Sequence, residues 1–285
     1  MNKEKIALLV DSGTDVPEEI MQAHGIYMVP LKIIYENEEY IDKVDISAEE
    51  IYRRLPNEIP KTSLPTGQAI QDIFTQIKAD GYEKVLAITI SSGLSGTFNS
   101  LRLLSQEIRN LEIHVIDSKN IGIGAGLQAI HAAELIAAGY SFAELVSSVT
   151  QAIQNHTVFF NVATLEYLQK GGRIGLVASL VGTALKLNPI ISCNDEGIYY
   201  TVAKTRGRKR SLDKTIELIR QAIGTHPKVR LAIAHGDAYN EALEMKQRLE
   251  QEFPAASEIY FGQISPALVV HTGPGLLGFG IQALD

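Results

Sequence analysis

Four apolar runs, IALLV (6–10), YMVPLKIIY (27–35), VLAITI (85–90) and IHVID (113–117), alternate with stretches whose apolar residues recur at helical spacing. Ile70, Ile73, Phe74 and Ile77 fall at i, i+3, i+4 and i+7, and Phe98, Leu101, Leu104 and Ile108 form a second stripe after the third run. Further helices are expected at 122–138 and 141–155. A strand that is apolar on both faces needs cover on both, and helical connections let neighbouring strands run parallel. The alternation therefore dictates an α/β fold whose first sheet is mainly parallel and flanked by helices.

The second half is less regular. VFFNV (158–162), NPIIS, GIYYTVA, VRLAIAH and EIYFGQI read as strands, with helices near 211–223 and 238–251 and a helical region over 164–186 that ends before Pro189. At 285 residues the chain is long for one core. Two α/β domains, 1–157 and 158–285, are expected.

With no Trp and only 7% aromatic residues, aliphatic side chains must build the interior. A net charge of −7 opposes general polyanion binding, so nucleic acid is not an expected partner. Cys193 is the sole cysteine, which removes internal disulfides and multi-cysteine zinc sites. The first apolar run is too short for a signal-peptide core, and a cytoplasmic protein is expected. Residues 259–284 carry no Asp, Glu, Lys or Arg, but Pro266, Pro274 and five glycines make a poor lipid-facing helix. A buried C-terminal segment is expected there, without stable membrane insertion.

Several segments bear chemistry. TISSGLSGTFNS (89–100) lies between a strand and a helix, where open α/β folds place ligands and where helix amides welcome an anion. Ser95 or Thr97 would equally serve as a plain helix cap. GLSGT misses the last glycine of a nucleophile elbow, and SSGLSGTF lacks the lysine of a phosphate-binding P-loop. A carboxylate or similar small anion fits better.

KTSLPTGQ (61–68) repeats the hydroxyls upstream: Thr66 can cap the next helix, while Thr62 and Ser63 could face a ligand shared with Ser95. HTGPGLLGFG (271–280) formally matches G-x-G-x-x-G, yet only seven residues follow Gly278, too few for a βαβ unit. Its glycines are read as permitting positive φ or a close backbone approach. His271 is expected to be at least partly buried. KGGRIG (170–175) places Arg173 in a glycine-rich turn, suited to holding an anion or to shaping a loop. Lys204, Arg206, Arg208, Lys209 and Arg210 crowd into seven residues, either a solvated helix start or a docking patch. DSGTD (11–15) has glycine where a phosphatase motif needs its second aspartate.

In order along the chain, VDSGTDVP, KTSLPT, SSGLSGT, LQKGGRI, KTRGRKR and HTGPG…GFG resemble the motifs of the DegV family of bacterial lipid-binding proteins. The resemblance implies two α/β domains with one long-chain fatty acid buried between them and no other cofactor. It implies that Thr62 and Ser95 hold the carboxylate; Ser63, Gly96 and Arg173 are further candidate ligand-binding residues. It also implies that a separate ATP-dependent kinase protein converts the carboxylate to an acyl phosphate, a step associated with His271 and Arg206. The alternative is a stand-alone hydrolase or acyltransferase with Ser95 as nucleophile and His271 as base. Residues 175–191 could line part of a lipid tunnel or equally be ordinary core.

Overall fold

The computed structural model describes residues 2–180 and 187–284. Its first part runs β1 (Ile6–Asp11), α1 (Glu18–His24), β2 (Tyr27–Val29), β3 (Lys32–Ile34), β4 (Glu39–Ile41), α2 (Ala48–Arg54), β5 (Lys61–Ser63) and α3 (Gly67–Ala79). It continues with β6 (Lys84–Thr89), α4 (Thr97–Ser105), β7 (Glu112–Asp117), α5 (Ile123–Ala137) and α6 (Phe142–Gln151). Then come β8 (His156–Asn161), α7 (Glu166–Lys170), β9 (Leu187–Cys193), β10 (Tyr199–Arg206) and α8 (Arg208–Ile223). The chain closes with β11 (Lys228–Gly236), α9 (Tyr239–Glu252), β12 (Ala256–Gln263), α10 (Pro266–Thr272) and β13 (Leu276–Leu284).

Strands β2-β1-β6-β7 form a wholly parallel sheet, as the alternation demands. The two-residue period of its strands feeds two cores. Ala7, Leu9, Val85 and Ala87 meet Ile70, Phe74, Ile77 and Leu101 of α3 and α4 on one face. Ile6, Leu8, Val10, Leu86 and Ile88 turn the other way, towards Ala125, Leu127 and Ala129 of α5.

A second sheet, β10-β9-β8-β13-β11-β12, is antiparallel except for its β11–β12 edge pair. Phe159, Leu231, Ile233 and Phe279 face α8 and α9, while Val158, Phe160, Ala232 and Ala234 join the core around α5. α5 is thus sandwiched between two sheets, which explains a sequence apolar on every side: Ile123 to Ile130 are all buried.

Two expectations are corrected by the chain's breakers. The 27–35 run is not one strand: Pro30 has no N–H for a ladder, so β2 stays in the parallel sheet while β3 joins an antiparallel β4-β3-β5 sheet. The helical region drawn over 164–186 stops at Lys170, before Gly171 and Gly172, and resumes only as a 3₁₀ segment over Gly175–Leu180. The rest of that expectation, 181–186, lies outside the described residues. The uncharged C-terminal segment is buried as α10 and β13. Among the described residues no helix is long and apolar enough to cross a membrane.

Candidate functional site: a cavity between the two sheets

β6 ends at Thr89 and α4 starts at Thr97, so the hydroxyl-rich turn does lie at the carboxyl edge of the parallel sheet. Ser91 fastens the turn by accepting the Gly93 N–H at 3.0 Å. Ser95 Oγ lies 2.8 Å from Thr97 Oγ1 and accepts the Thr97 N–H at 3.3 Å. Ser95 therefore partly performs the local capping role, yet it also borders a cavity.

That cavity, of about 180 Å³, sits between the two sheets at the N-terminal end of α5. Its polar end is made by Thr62, Ser63, Ser95, Gly96, Arg173 and His271, and the remaining walls are mostly aliphatic. Thr62 and Ser63 belong to β5, whose pairing with β3 sets Thr62 opposite Ile33. Thr66, just beyond, caps α3 by accepting the Ala69 N–H at 3.1 Å, as the sequence suggests. Leu31, Ile90 and Ile121 contribute walls from the first half, and Phe160, Ile264 and Leu268 from the second.

His271 occupies the last turn of α10, and its Nε2 lies 2.7 Å from Thr62 Oγ1 across the two halves of the chain. Burial, helped by the nearby Arg173 charge, pushes its pKa down to about 4, so the ring is neutral at pH 7. Nδ1 is buried without a hydrogen-bond partner, hard against Gly171, where an added Cβ would come within 2.2 Å of it. An Nδ1–H would be buried against Gly171 with no acceptor. The tautomer protonated on Nε2 instead donates to Thr62 and leaves the Thr62 O–H free to donate elsewhere. Just beyond, Gly273 at φ 64° ends α10 with Tyr167 so near that no side chain fits, the close approach read from HTGPG.

Arg173 Nε donates to the Leu94 carbonyl at 3.2 Å and Nη1 to the Gly171 carbonyl at 2.9 Å. A guanidinium has five donors, so some remain. Among the described residues no carboxylate pairs with Arg173, which leaves its charge uncompensated at the polar end. Of the predicted site residues, Thr62, Ser63, Ser95, Gly96, Arg173 and His271 are brought together. Arg206 is not: it is exposed at the end of β10 and forms no part of the cavity wall. No described residue of 175–191 lines the cavity either, because Val177, Leu180, Ile190 and Ile191 are spent in the cores. Ile121, Phe160 and Leu268 went unnoticed in sequence, since nothing separates a cavity-lining aliphatic from an ordinary core residue.

Fold and cavity together define a class: α/β proteins whose sheets enclose an apolar pocket with one polar end that offers hydroxyls, a neutral imidazole and a guanidinium paired with no described carboxylate. The family model of the uncharacterised DegV family matches residues 5–284. The chain belongs to the DegV family. A DegV domain-containing protein of Clostridium acetobutylicum is 41% identical, the match covering 96% of this chain and 98% of the relative. The solved structure of a fatty-acid-binding DegV family protein from Thermus thermophilus superposes with a TM-score of 0.92 at 27% identity over 100% of both chains. DegV from Bacillus subtilis, a fatty acid binding protein, does so with 0.90, again at 27% identity over both full chains.

Proposed function

We propose that this protein binds one long-chain fatty acid in the cavity and presents its carboxylate to a separate ATP-dependent kinase. The observation that carries the reading is the cavity's two-part make-up, a mostly apolar wall with an uncompensated Arg173 and the Thr62, Ser63 and Ser95 hydroxyls at one end. Burying about a dozen methylenes at ~0.8 kcal/mol each contributes on the order of 10 kcal/mol before ordering costs. Charge-assisted hydrogen bonds add roughly 1.5–3 kcal/mol apiece, so the tail supplies most affinity and the head sets direction.

Thr62 donates its free O–H to one carboxylate oxygen, with Ser95 and Arg173 beside it. His271 orients Thr62 rather than carrying the balancing charge, because its ring is neutral. The fatty-acid-binding relatives of the same fold support the ligand class. Support for presentation is geometric: Gly96 and Leu64, at the polar end, are exposed, so that end reaches solvent. In the proposed transfer a carboxylate oxygen attacks the γ-phosphorus of ATP, the bond to the bridging oxygen breaks and ADP leaves. Arg206 would act from outside the cavity, docking the kinase or steadying the phosphoryl group. The hydrolase alternative lacks its central contact: Ser95 bonds to Thr97, and the accessible His271 nitrogen bonds to Thr62.

Native mass spectrometry of freshly purified protein should reveal a co-purifying long-chain fatty acid, with Ser95→Ala binding stearate several-fold more weakly while remaining folded. Loaded protein plus ATP should yield acyl hydroxamate, after hydroxylamine trapping, only when a fatty acid kinase is added. Absence of both a co-purifying acid and binding of added stearate would sink the ligand assignment. Hydroxamate formed without the kinase would sink presentation.

A further inference from the structure

The DSGTD segment lines no part of the cavity, yet its acids are buried. Asp11 stitches the end of β1 to its surroundings, accepting the Gly13 and Ile90 N–H groups at 2.9 and 2.8 Å. Asp15 reaches further. Its Oδ1 accepts the Ser265 N–H at 2.9 Å, and Asp42 Oδ1 accepts the Ala267 N–H at 3.0 Å. Both amides belong to the start of α10, 250 and 225 residues away in sequence.

A helix start needs such acceptors, and α10 does not provide its own. Ser265 occupies the N-cap position, but its hydroxyl makes no capping bond and has no partner. Pro266 follows and has no N–H. The Ala267 amide, which an N-cap side chain would ordinarily take, goes to Asp42 instead. Lys43 Nζ, 3.4 Å from Asp15 Oδ1, brings a compensating charge. Asp15 and Lys43 both hold left-handed backbone, at φ 51° and 63°. Non-glycine residues keep that conformation only where their surroundings fix it.

We infer that Asp15 and Asp42 cap α10 in trans and are positioning residues for His271, which the same short helix carries four residues beyond Ala267. At 1.5 Å per residue the held amide and the imidazole lie about 6 Å apart along the axis. Any slip of α10 against the first half of the chain therefore reaches the 2.7 Å bond between His271 and Thr62 almost undiminished. The affinity part of this inference rests on the fatty-acid reading; the geometric part does not.

The test compares Asp42→Ala and Asp15→Ala with Asp42→Asn, whose amide oxygen still accepts the Ala267 N–H. NMR of the His271 ring in lipid-free protein, stearate affinity and thermal stability are read together. The alanine variants should move the His271 titration midpoint upwards from about 4 and weaken stearate binding at least about tenfold, with Asp42→Asn restoring both. Alanine variants that melt earlier but keep the His271 signature and the affinity would reduce the acids to structural groups and overturn the inference. Should the alanine variants fail to fold, hydrogen exchange in the unaltered protein decides. Slow exchange of the Ser265 and Ala267 amides supports the trans cap, and fast exchange overturns it. A shifted His271 signal in a protein that never binds stearate would keep the inference and end the fatty-acid reading.

Discussion

Hydroxyl donors reach the cavity from the first half of the chain, on β5 and the turn before α4. The guanidinium and the imidazole come from the second half, on the turn after α7 and the last turn of α10. Neither set alone reads a carboxylate well. Hydroxyls without a cation leave the buried negative charge uncompensated, and a lone guanidinium does not fix which oxygen points outwards. The aliphatic walls, by contrast, come from both halves alike. Direction is thus divided between the halves, whereas grip on the tail is shared, and a change should cost most where it strikes the shared part.

The heaviest expected loss follows from Leu268→Asp, which puts a charge into the wall beside the polar end. Stearate affinity should fall roughly a hundredfold, measured by displacement of a fluorescent fatty acid, with folding checked by circular dichroism. Affinity close to that of the unaltered protein would break the idea that the walls hold the ligand. Arg173→Met, which keeps the aliphatic stem and removes the charge, should cost about tenfold. It carries a second readout with a defined sign. Arg173 lowers the His271 pKa, second only to burial, so the variant should titrate higher than about 4. A bound carboxylate favours the imidazolium and should raise the midpoint again in either protein. No movement on either change would mean that the second half's two polar groups do not share one head site.

The polar end was far more legible in sequence than the rest. Thr62, Ser95 and Arg173 stand in turns rich in glycine, proline and hydroxyls, where local chemistry announces itself within a few residues. Ile121, Phe160 and Tyr199 announce nothing, because an aliphatic or aromatic residue facing a cavity follows the same periodicity as one facing a helix. The roles of Asp15 and Asp42 were equally hidden, their partners lying more than two hundred residues away. Apolar periodicity also carried the 164–186 helix through Gly171 and Gly172, although the His271 ring leaves no room for a side chain at Gly171. The parallel sheet itself was plain, since strands buried on both faces leave a continuous apolar signature.

The smallest expected effect on binding belongs to Arg206→Ala, and it separates the inside of the cavity from the surface around it. Arg206 is exposed, and no described residue pairs with it, so stearate affinity should stay within about twofold. Lys204, Lys209 and Arg210 are exposed alongside it, whereas Arg208 is committed to Glu241 at 2.8 Å. A free cationic cluster on a chain of net charge −7 is poised for something outside the molecule. If that is the kinase, the rate of acyl hydroxamate formation should drop in Arg206→Ala at saturating stearate, with the difference from the unaltered protein narrowing as salt rises. An Arg206→Ala protein that binds stearate normally and whose bound acid is phosphorylated normally would leave the carboxylate end as the whole of the functional surface.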